Sequence, residues 1–326
     1  MIHAVASLCN NSMSLKIAIQ MDPVAGINPR TDSTLLTGIE ACKRGYEVYY
    51  YTPDKLAYYQ GMITAAAQRI TFFADPNHYY ELGESMHLDL RTMDVVLLRQ
   101  DPPFNMAYIT TTHILEHLAP DTLVVNDPAS VRNHPEKLFP LQFRQFMPPT
   151  LVTADLGEIE YFRKEHKDII IKPLYGHGGR AVLRIKSDDD NLSTLMEMHR
   201  ATSVEPLMIQ PFLPEVKTED RRIILIDGRV GGVMGRIPAE HEIRANFRVG
   251  GSPAKAELTS KQREICETLE PVLCEKGLIF VGLDVIGDYL TEINITSPTG
   301  LAQINKLYNT KLEADLWDAI EARVHA

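Results

Sequence analysis

From Lys16 onward, short β-type runs alternate with longer amphipathic ones, which is the pattern of layered α/β structure. Residues 16–20 read as a first strand, 32–44 as a helix ended by Gly45, and 48–51 as a second strand. Residues 70–73, 95–98 and 123–125 continue the series. Together they predict an open, mostly parallel sheet of about five strands. Asp101-Pro102-Pro103 and Asn126-Asp127-Pro128 follow the last two of these strands. Both turns therefore sit at carboxyl ends of strands, where open α/β sheets place their ligands.

Met147-Pro148-Pro149-Thr150 reads as a hinge, because two prolines fix the backbone and halt any preceding helix. Beyond it the pattern turns antiparallel. A polar helix is predicted over 158–166 and strands over 169–172, 181–185 and 207–210. Asp227-Gly228 between residues 222–226 and 230–236 is a strong hairpin signal, and Gly287-Asp288-Tyr289 divides 279–286 from 290–293 in the same way. The fold class expected is α/β joined to α+β.

Composition narrows the function. The 326 residues carry a formal net charge of −10, which disfavours partners held by a broad basic face, so nucleic acid and membrane surfaces are excluded as expected partners. A small anion held by a few local cations is still allowed. The four cysteines, Cys9, Cys42, Cys266 and Cys274, form no C-x-x-C pair and show no metal-ligand spacing, which fits a reduced, cytoplasmic protein. The longest apolar run, near 278–283, is strand-sized. Residues 1–13 lack the basic segment of a secretion signal and are expected to be a disordered extension, with Met13 as the natural start.

Three segments carry chemistry. In Ile169-Ile170-Ile171-Lys172-Pro173-Leu174-Tyr175-Gly176-His177-Gly178-Gly179-Arg180, an apolar strand delivers a lysine at its end, and three glycines allow backbone N–H groups close to a polyphosphate. The loop lacks the order of the common P-loop, and a glycine turn beside a solvated lysine is its plainer reading. In the hairpin 281–298, Glu292 and Asn294 are two apart and share a face, and the turn brings Asp284 alongside. Such an oxygen set suits a hard divalent cation, and a half-buried hairpin with polar outward residues suits the pattern equally well. Arg222, Arg236 and Arg244 form a cationic group, and Arg99 at a strand's carboxyl end suits substrate anchoring. Residues 239–255, rich in glycine and charge, read either as a flap over a site or as a solvated loop.

These features resemble the ATP-grasp superfamily. Met21-Asp22-Pro23, Arg99-Gln100-Asp101-Pro102-Pro103-Phe104, Glu136-Lys137-Leu138-Phe139, the run 277–284 and Thr291-Glu292-Ile293-Asn294-Ile295-Thr296-Ser297-Pro298-Thr299 resemble, more closely, the bacterial glutathione synthetase family. The resemblance runs from about Leu15 to Arg323. It implies an N-terminal open parallel-sheet domain over 14–135, an ATP-grasp small lobe with the glycine-rich loop over 136–213, and a C-terminal lobe with the metal site over 214–326. It further implies ligation of glycine to γ-glutamylcysteine with ATP as co-substrate, in a homo-oligomer. ATP would meet Lys137, Lys172, Tyr175, Gly176, Gly178, Gly179, Gln210, Phe212 and Leu213. Asp284, Glu292 and Asn294 would hold Mg²⁺ or Mn²⁺, and Arg222 and Arg236 would act at the reacting groups. Arg99, Arg244, Asn246, Gly250, Gly251, Ser297 and Thr299 would bind the peptide substrate and glycine. Asn105 and Ala302 stand where that family often has aspartate and arginine. Two other readings fit parts of the pattern: an ATP-grasp carboxylate–amine ligase with a different peptide substrate, and a non-catalytic ATP-binding module.

Overall fold

The computed structural model describes residues 14–240, 242, 244–247 and 250–325. The expected extension over 1–13 lies outside the described residues. The chain builds three sheets in succession. The first comes from β1 (Lys16–Gln20), β2 (Glu47–Tyr51), β3 (Leu56–Tyr59), β4 (Met62–Asp75), β5 (His78–Asp89), β6 (Val95–Leu98) and β7 (Leu123–Val125). Helices α1 (Ser33–Lys43), α2 (Met106–Glu116) and α3 (Pro128–Asn133) connect them. Asp32 and Asn105 cap the first two, each accepting a backbone N–H three residues on, so the Asn105 amide does what an aspartate would do there.

Strand order is β3-β4-β2-β1-β6-β7, with β5 on the free side of β4. Only β2-β1-β6-β7 is parallel. The expected strand over 70–73 is one part of the 14-residue β4, which runs antiparallel to β2, β3 and β5. The sheet therefore has seven strands, not about five, and half of it is antiparallel. Strand β5 is exposed along most of its length, so no alternation of apolar and polar residues marks it.

The second sheet holds β8 (Leu151–Thr153), β9 (Ile169–Pro173), β10 (Leu183–Ile185) and β11 (Leu207–Pro211), in the order β10-β9-β11-β8 and antiparallel throughout. Helices α4 (Leu156–His166) and α5 (Leu192–Thr202) cover one face, burying Ile159, Leu192 and Met196 against Ile169, Ile171 and Ile209. The third sheet, β14-β13-β12-β15-β16, comprises β12 (Asp220–Ile226), β13 (Arg229–Ile237), β14 (Ser252–Ala254), β15 (Phe280–Ile286) and β16 (Tyr289–Asn294). Asp227 and Gly228 form the β12–β13 turn with φ of 48° and 79°, the left-handed pair that a two-residue hairpin needs. Helix α6 (Ser260–Glu275) packs beside this sheet, and α7 (Leu301–Tyr308) and α8 (Leu312–Val324) return to α1. There the fully buried Trp317 donates from Nε1 to Thr37 O at 2.8 Å.

One residue bolts the first sheet to the third. Asn126, buried just after β7, donates from Nδ2 to Phe280 O (2.7 Å) and Ile295 O (2.9 Å), and its Oδ1 accepts from Phe280 N (2.8 Å). Each buried backbone group it satisfies would otherwise cost about 1–3 kcal/mol. No helix among the described residues is long and apolar enough to cross a membrane.

Candidate active site

The site lies where the second and third sheets face each other. Register on the third sheet explains it. Arg222 on β12 is opposite Asp284 on β15, which is opposite Glu292 on β16. Alternation puts Asp220 on the same face as Arg222, and Arg236 on β13 reaches across to it. One sheet face thus carries two arginines and three carboxylates in a row.

Arg236 forks between two of these carboxylates. Its Nε donates to Asp220 Oδ1 at 2.5 Å and its Nη1 to Asp284 Oδ2 at 3.2 Å. Arg222 Nη2 donates to the same Asp284 oxygen at 3.3 Å. Arg222 Nε stands 2.8 Å from Asp284 Oδ1, but its N–H is not aimed there, so this buried oxygen accepts no hydrogen bond among the described residues. Burial alone would raise the Asp284 carboxyl, but the Arg222 and Arg236 guanidiniums outweigh it and hold it below the usual aspartate value. Asp220 goes the other way: burial raises it, and Arg236 offsets only part of the rise. Gly282 makes room for this arrangement, since a Cβ there would lie 2.7 Å from Arg222 Nη1.

Two buried lysines come from outside that sheet. Lys172 sits near the end of β9, and Lys137 precedes a 3-10 segment, Phe139–Phe146. Both Nζ atoms lie 3.7 Å from Glu292 Oε1, close enough for ion pairing and too far for a hydrogen bond. Lys137 also donates to Gly176 O. Burial pulls the Lys172 ammonium below its ordinary value, and Glu292 restores part of the loss.

These groups line two clefts. The first is an open cleft between the sheets, about 850 Å³ of empty space counting the solvent at its mouth. Ile170, Val182, Leu213 and Val216 give it an apolar end, and Lys137, Lys172, Asp284 and Glu292 a charged one. The second, about 750 Å³, runs from Asp101 and Pro102 past Glu136 to Arg222, Asn294 and the 296–299 segment. They meet at Gly178, Arg236, Asn246 and Glu292, which line both.

Of the residues singled out in the sequence, the structure brings Gly176, Gly179, Gln210, Phe212 and Arg244 to the first cleft, and Ser297 and Thr299 to the second. The glycine-rich loop and the 239–255 segment touch. Arg244 Nη1 donates to Gly179 O at 2.9 Å, and a Cβ on Gly179, whose φ is 77°, would lie 2.7 Å from Asn246 Oδ1. Glu242 pairs bidentately with Arg244, through Nε at 2.9 Å and Nη2 at 2.6 Å. The end of the segment, Ser252–Ala254, forms β14 against β13 and so is strand, not solvated loop.

Four expected residues lie elsewhere. Arg99 lines neither of these clefts. It is buried behind the second, over the Phe280 ring, donating to Thr34 Oγ1 and Pro298 O at 3.0 Å each. It therefore braces the wall that Pro298 forms. Gly250 and Gly251 close the segment on itself, their N–H groups donating to Phe247 O and Asn246 O at 3.2 Å. Tyr175 lines a smaller cavity of about 310 Å³, its ring stacked 6.1 Å from that of Phe104.

Sequence reasoning passed over Asp220 and Glu136. Asp220, two residues before Arg222 in a strand, was within reach of the alternation rule. Glu136 gave no local signal. Its Oε1 accepts from Thr296 N (3.1 Å), Thr296 Oγ1 (2.5 Å) and Ile295 N (3.2 Å), and burial raises its carboxyl.

The oxygen donors pass the test for a hard divalent cation. Asn294 Nδ2 donates to Gly282 O at 3.0 Å, which turns its amide oxygen toward the cleft, beside the Glu292 carboxylate and Asp284 Oδ1, which is ion-paired to Arg222 but accepts no hydrogen bond among the described residues. Two carboxylates and an amide oxygen are the ligand types such an ion takes, with phosphates completing its shell.

Comparison with known proteins agrees with this geometry. The family model for the prokaryotic glutathione synthetase N-terminal domain matches residues 15–132, and that for the prokaryotic glutathione synthetase ATP-grasp domain matches 136–309. The glutathione synthetase of Rhodopseudomonas palustris is 51% identical over 95% of this chain and 99% of its own length. That of Brucella melitensis is 49% identical over 95% of this chain and all of its own. Among solved structures, the D-cycloserine synthetase DcsG superposes with a TM-score of 0.66 at 13% identity, covering 95% of this chain and 99% of that one. The ATP-grasp ligase PsnB gives 0.61 at 18%, covering 95% and 98%. At that identity these structures establish the ATP-grasp fold alone. With both family models spanning most of its length and relatives at half identity, the chain belongs to the prokaryotic glutathione synthetase family.

Proposed function

We propose that this chain ligates glycine to γ-L-glutamyl-L-cysteine at the expense of ATP, forming glutathione, ADP and phosphate. The observation that carries the reading is the junction of the two clefts at Arg236 and Glu292. A nucleotide with its base at the apolar end of the first cleft would present its terminal phosphate there. A dipeptide in the second would bring its carboxylate to the same point.

A carboxylate is a poor acyl donor. Phosphoryl transfer makes it an acyl phosphate, and the glycine amine then adds to the acyl carbon as phosphate departs. The protein's part is positioning and charge neutralisation. Lys137 and Lys172 would take phosphate oxygens, and the main chain of Gly176, Gly178 and Gly179 would close over them. The hinge at Gln210, Phe212 and Leu213 would border the base. Arg222 and Arg236 would neutralise the oxygens of the transferring group. Ser297 and Thr299 would line the peptide's side of the second cleft. Asp284, Glu292 and Asn294 would hold Mg²⁺, or Mn²⁺ in its place, and the bound ion would draw charge from the polyphosphate oxygens. Arg244 and Asn246, resting on the glycine loop, would keep water from the acyl phosphate. The proposal extends to a cytoplasmic enzyme working as a homo-oligomer.

The test is a substrate panel. Purified protein with ATP and Mg²⁺ should release phosphate only when γ-glutamylcysteine and glycine are both present, with a tripeptide product by mass. Leaving out the divalent ion should stop it. Equal turnover with D-alanine or glutamate in place of glycine would overturn the substrate assignment.

A further inference from the structure

The second cleft is lined by three carboxylates, Asp101, Glu136 and Glu292. Glu292 stands with the oxygen donors described above and faces two lysines. Asp101 belongs to the turn after β6, where its own N–H is held by Asp22 Oδ2 at 2.7 Å. Glu136 is built differently. All three of its side-chain hydrogen bonds fall on Oε1, and its carbonyl accepts from Ile293 N at 3.0 Å. Backbone and carboxylate plane are thereby locked, and Oε2 accepts nothing among the described residues. The residue forms the wall between the second cleft and the smaller cavity beside Tyr175.

A structural tie to Thr296 would need only one neutral acceptor, which a glutamine supplies. A half-buried carboxylate with one oxygen saturated and the other open to a cleft is a ready partner for a cation. The cleft's other charged groups include Arg222 and Arg236, which suit anionic oxygens. The acceptor amino acid is a zwitterion at neutral pH, so it needs a negative group for its nitrogen as well as positive ones for its carboxylate. Resting on the function proposed above, we propose that Glu136 Oε2 receives the ammonium group of the acceptor glycine and holds its nitrogen beside the activated carbonyl; the nitrogen adds as the free amine once one proton has passed to a phosphate oxygen, and the second proton it loses leaves on the released phosphate. Glu136 is then a determinant of acceptor specificity, favouring a primary ammonium over an uncharged nucleophile.

The experiment compares two nucleophiles in the Glu136→Gln variant. Glutamine keeps an oxygen for Thr296 and replaces the open one with an NH₂ that repels an ammonium. Hydroxylamine, uncharged at neutral pH, intercepts the acyl phosphate as a hydroxamate and needs no anionic partner. The expected result is a glycine KM raised about 10- to 100-fold, the range for losing one hydrogen bond to a charged group. KM for ATP and γ-glutamylcysteine, and the hydroxamate rate, should stay within about twofold. Glu136→Asp keeps the charge but withdraws it, and should raise the glycine KM by less, which gives a second reading should the glutamine variant fold poorly.

Four results would overturn the proposal: hydroxamate and glycine rates falling together, an unchanged glycine KM, a raised KM for γ-glutamylcysteine instead, or the same split in Asp101→Asn. If the unaltered protein makes no tripeptide, the functional reading itself fails, and that is seen before any variant is made.

Discussion

Arg236→Met tests whether the buried charge row is a structural strut as well as a site. The change keeps an apolar stem of similar length and deletes the fork between Asp220 and Asp284. Asp284 retains Arg222, but Asp220, 3% exposed, loses the only side-chain hydrogen bond it has among the described residues. Removing one member of a buried ion pair costs about 3–5 kcal/mol, because the partner's charge is stranded. At about 2 °C per kcal/mol for a chain this long, the melting midpoint should drop by about 6–10 °C. The sign with pH follows from Asp220, whose carboxyl burial already raises and whose loss of Arg236 raises it further. A group with a raised folded-state pKa contributes its full stability below the unfolded value of 3.8 and loses it as pH rises through the folded one. The deficit should therefore be greatest at neutral pH and shrink as the solution is acidified toward pH about 5. Adding Asp220→Asn should recover about half the loss at pH 7 by removing the stranded charge. Scanning calorimetry at one fixed scan rate, for both variants at pH 5 and 7, is the assay. A drop under about 2 °C, or no recovery in the double variant, would refute the claim that Arg236 holds two carboxylates in place.

Glu292→Gln should lower ligation by at least about 100-fold, since even groups that only support metal ligands cost about 10–100-fold when changed. Far-UV circular dichroism should be unaltered, and activity within tenfold of normal would remove Glu292 from the site. Asn126→Ala should cost about 3 kcal/mol by leaving Phe280 N, Phe280 O and Ile295 O unpaired, while Asn126→Asp should be worse at pH 7, its carboxylate facing two carbonyls; melting midpoints in the reverse order would show that the amide's two donors are not what matters. Burial pushes the Cys266 thiol up to about 12, so iodoacetamide at pH 8 should spare Cys266 until the protein unfolds, as read by peptide mass spectrometry. Because its folded-state value lies above the ordinary 9.0, Cys266 should withdraw stability as pH rises from 9 toward 12, and Cys266→Ala should flatten that decline.

Local chemistry was legible wherever the residues that decide it are adjacent in the chain. Asp32 announces its helix and Asp227-Gly228 its hairpin, because a cap and a tight turn are settled within four residues. The Asp284, Glu292 and Asn294 face was legible because strand alternation carries it through one turn. What escaped depends on distant partners. Strands β3 and β5 are exposed along most of their length, where neither face dictates a pattern. Arg99 has the same local sequence whether it points to a cleft or into the core, and only the arrival of Pro298 and Phe280 from the C-terminal part decides it. Glu136 becomes informative only when Thr296, 160 positions away, lays its N–H and hydroxyl against one oxygen.

The net charge of −10 misleads in an instructive way. Surface charges act over a screening length of about 8 Å at physiological salt, so most of the excess carboxylates do not reach the clefts. Inside, the buried cations at the junction rest against anions. Lys137 and Lys172 face Glu292, Arg236 spans Asp220 and Asp284, and Arg222 leans on Asp284. That pairing offsets the cost of burying charge while no ligand is bound. It also limits what can bind alone. A polyphosphate taking the lysines and arginines would strand Glu292 and Asp284, and a divalent ion taking those carboxylates would strand the cations. Bound together they exchange partners, the cations taking the polyphosphate and the carboxylates the divalent ion, so neither set is left unpaired. Nucleotide and divalent ion should therefore bind with strong positive coupling, and by reciprocity each should tighten the other by the same factor. The acidic chain can hold an anionic substrate because the charge balance at the cleft junction, four cations facing three carboxylates, differs from that of the chain as a whole.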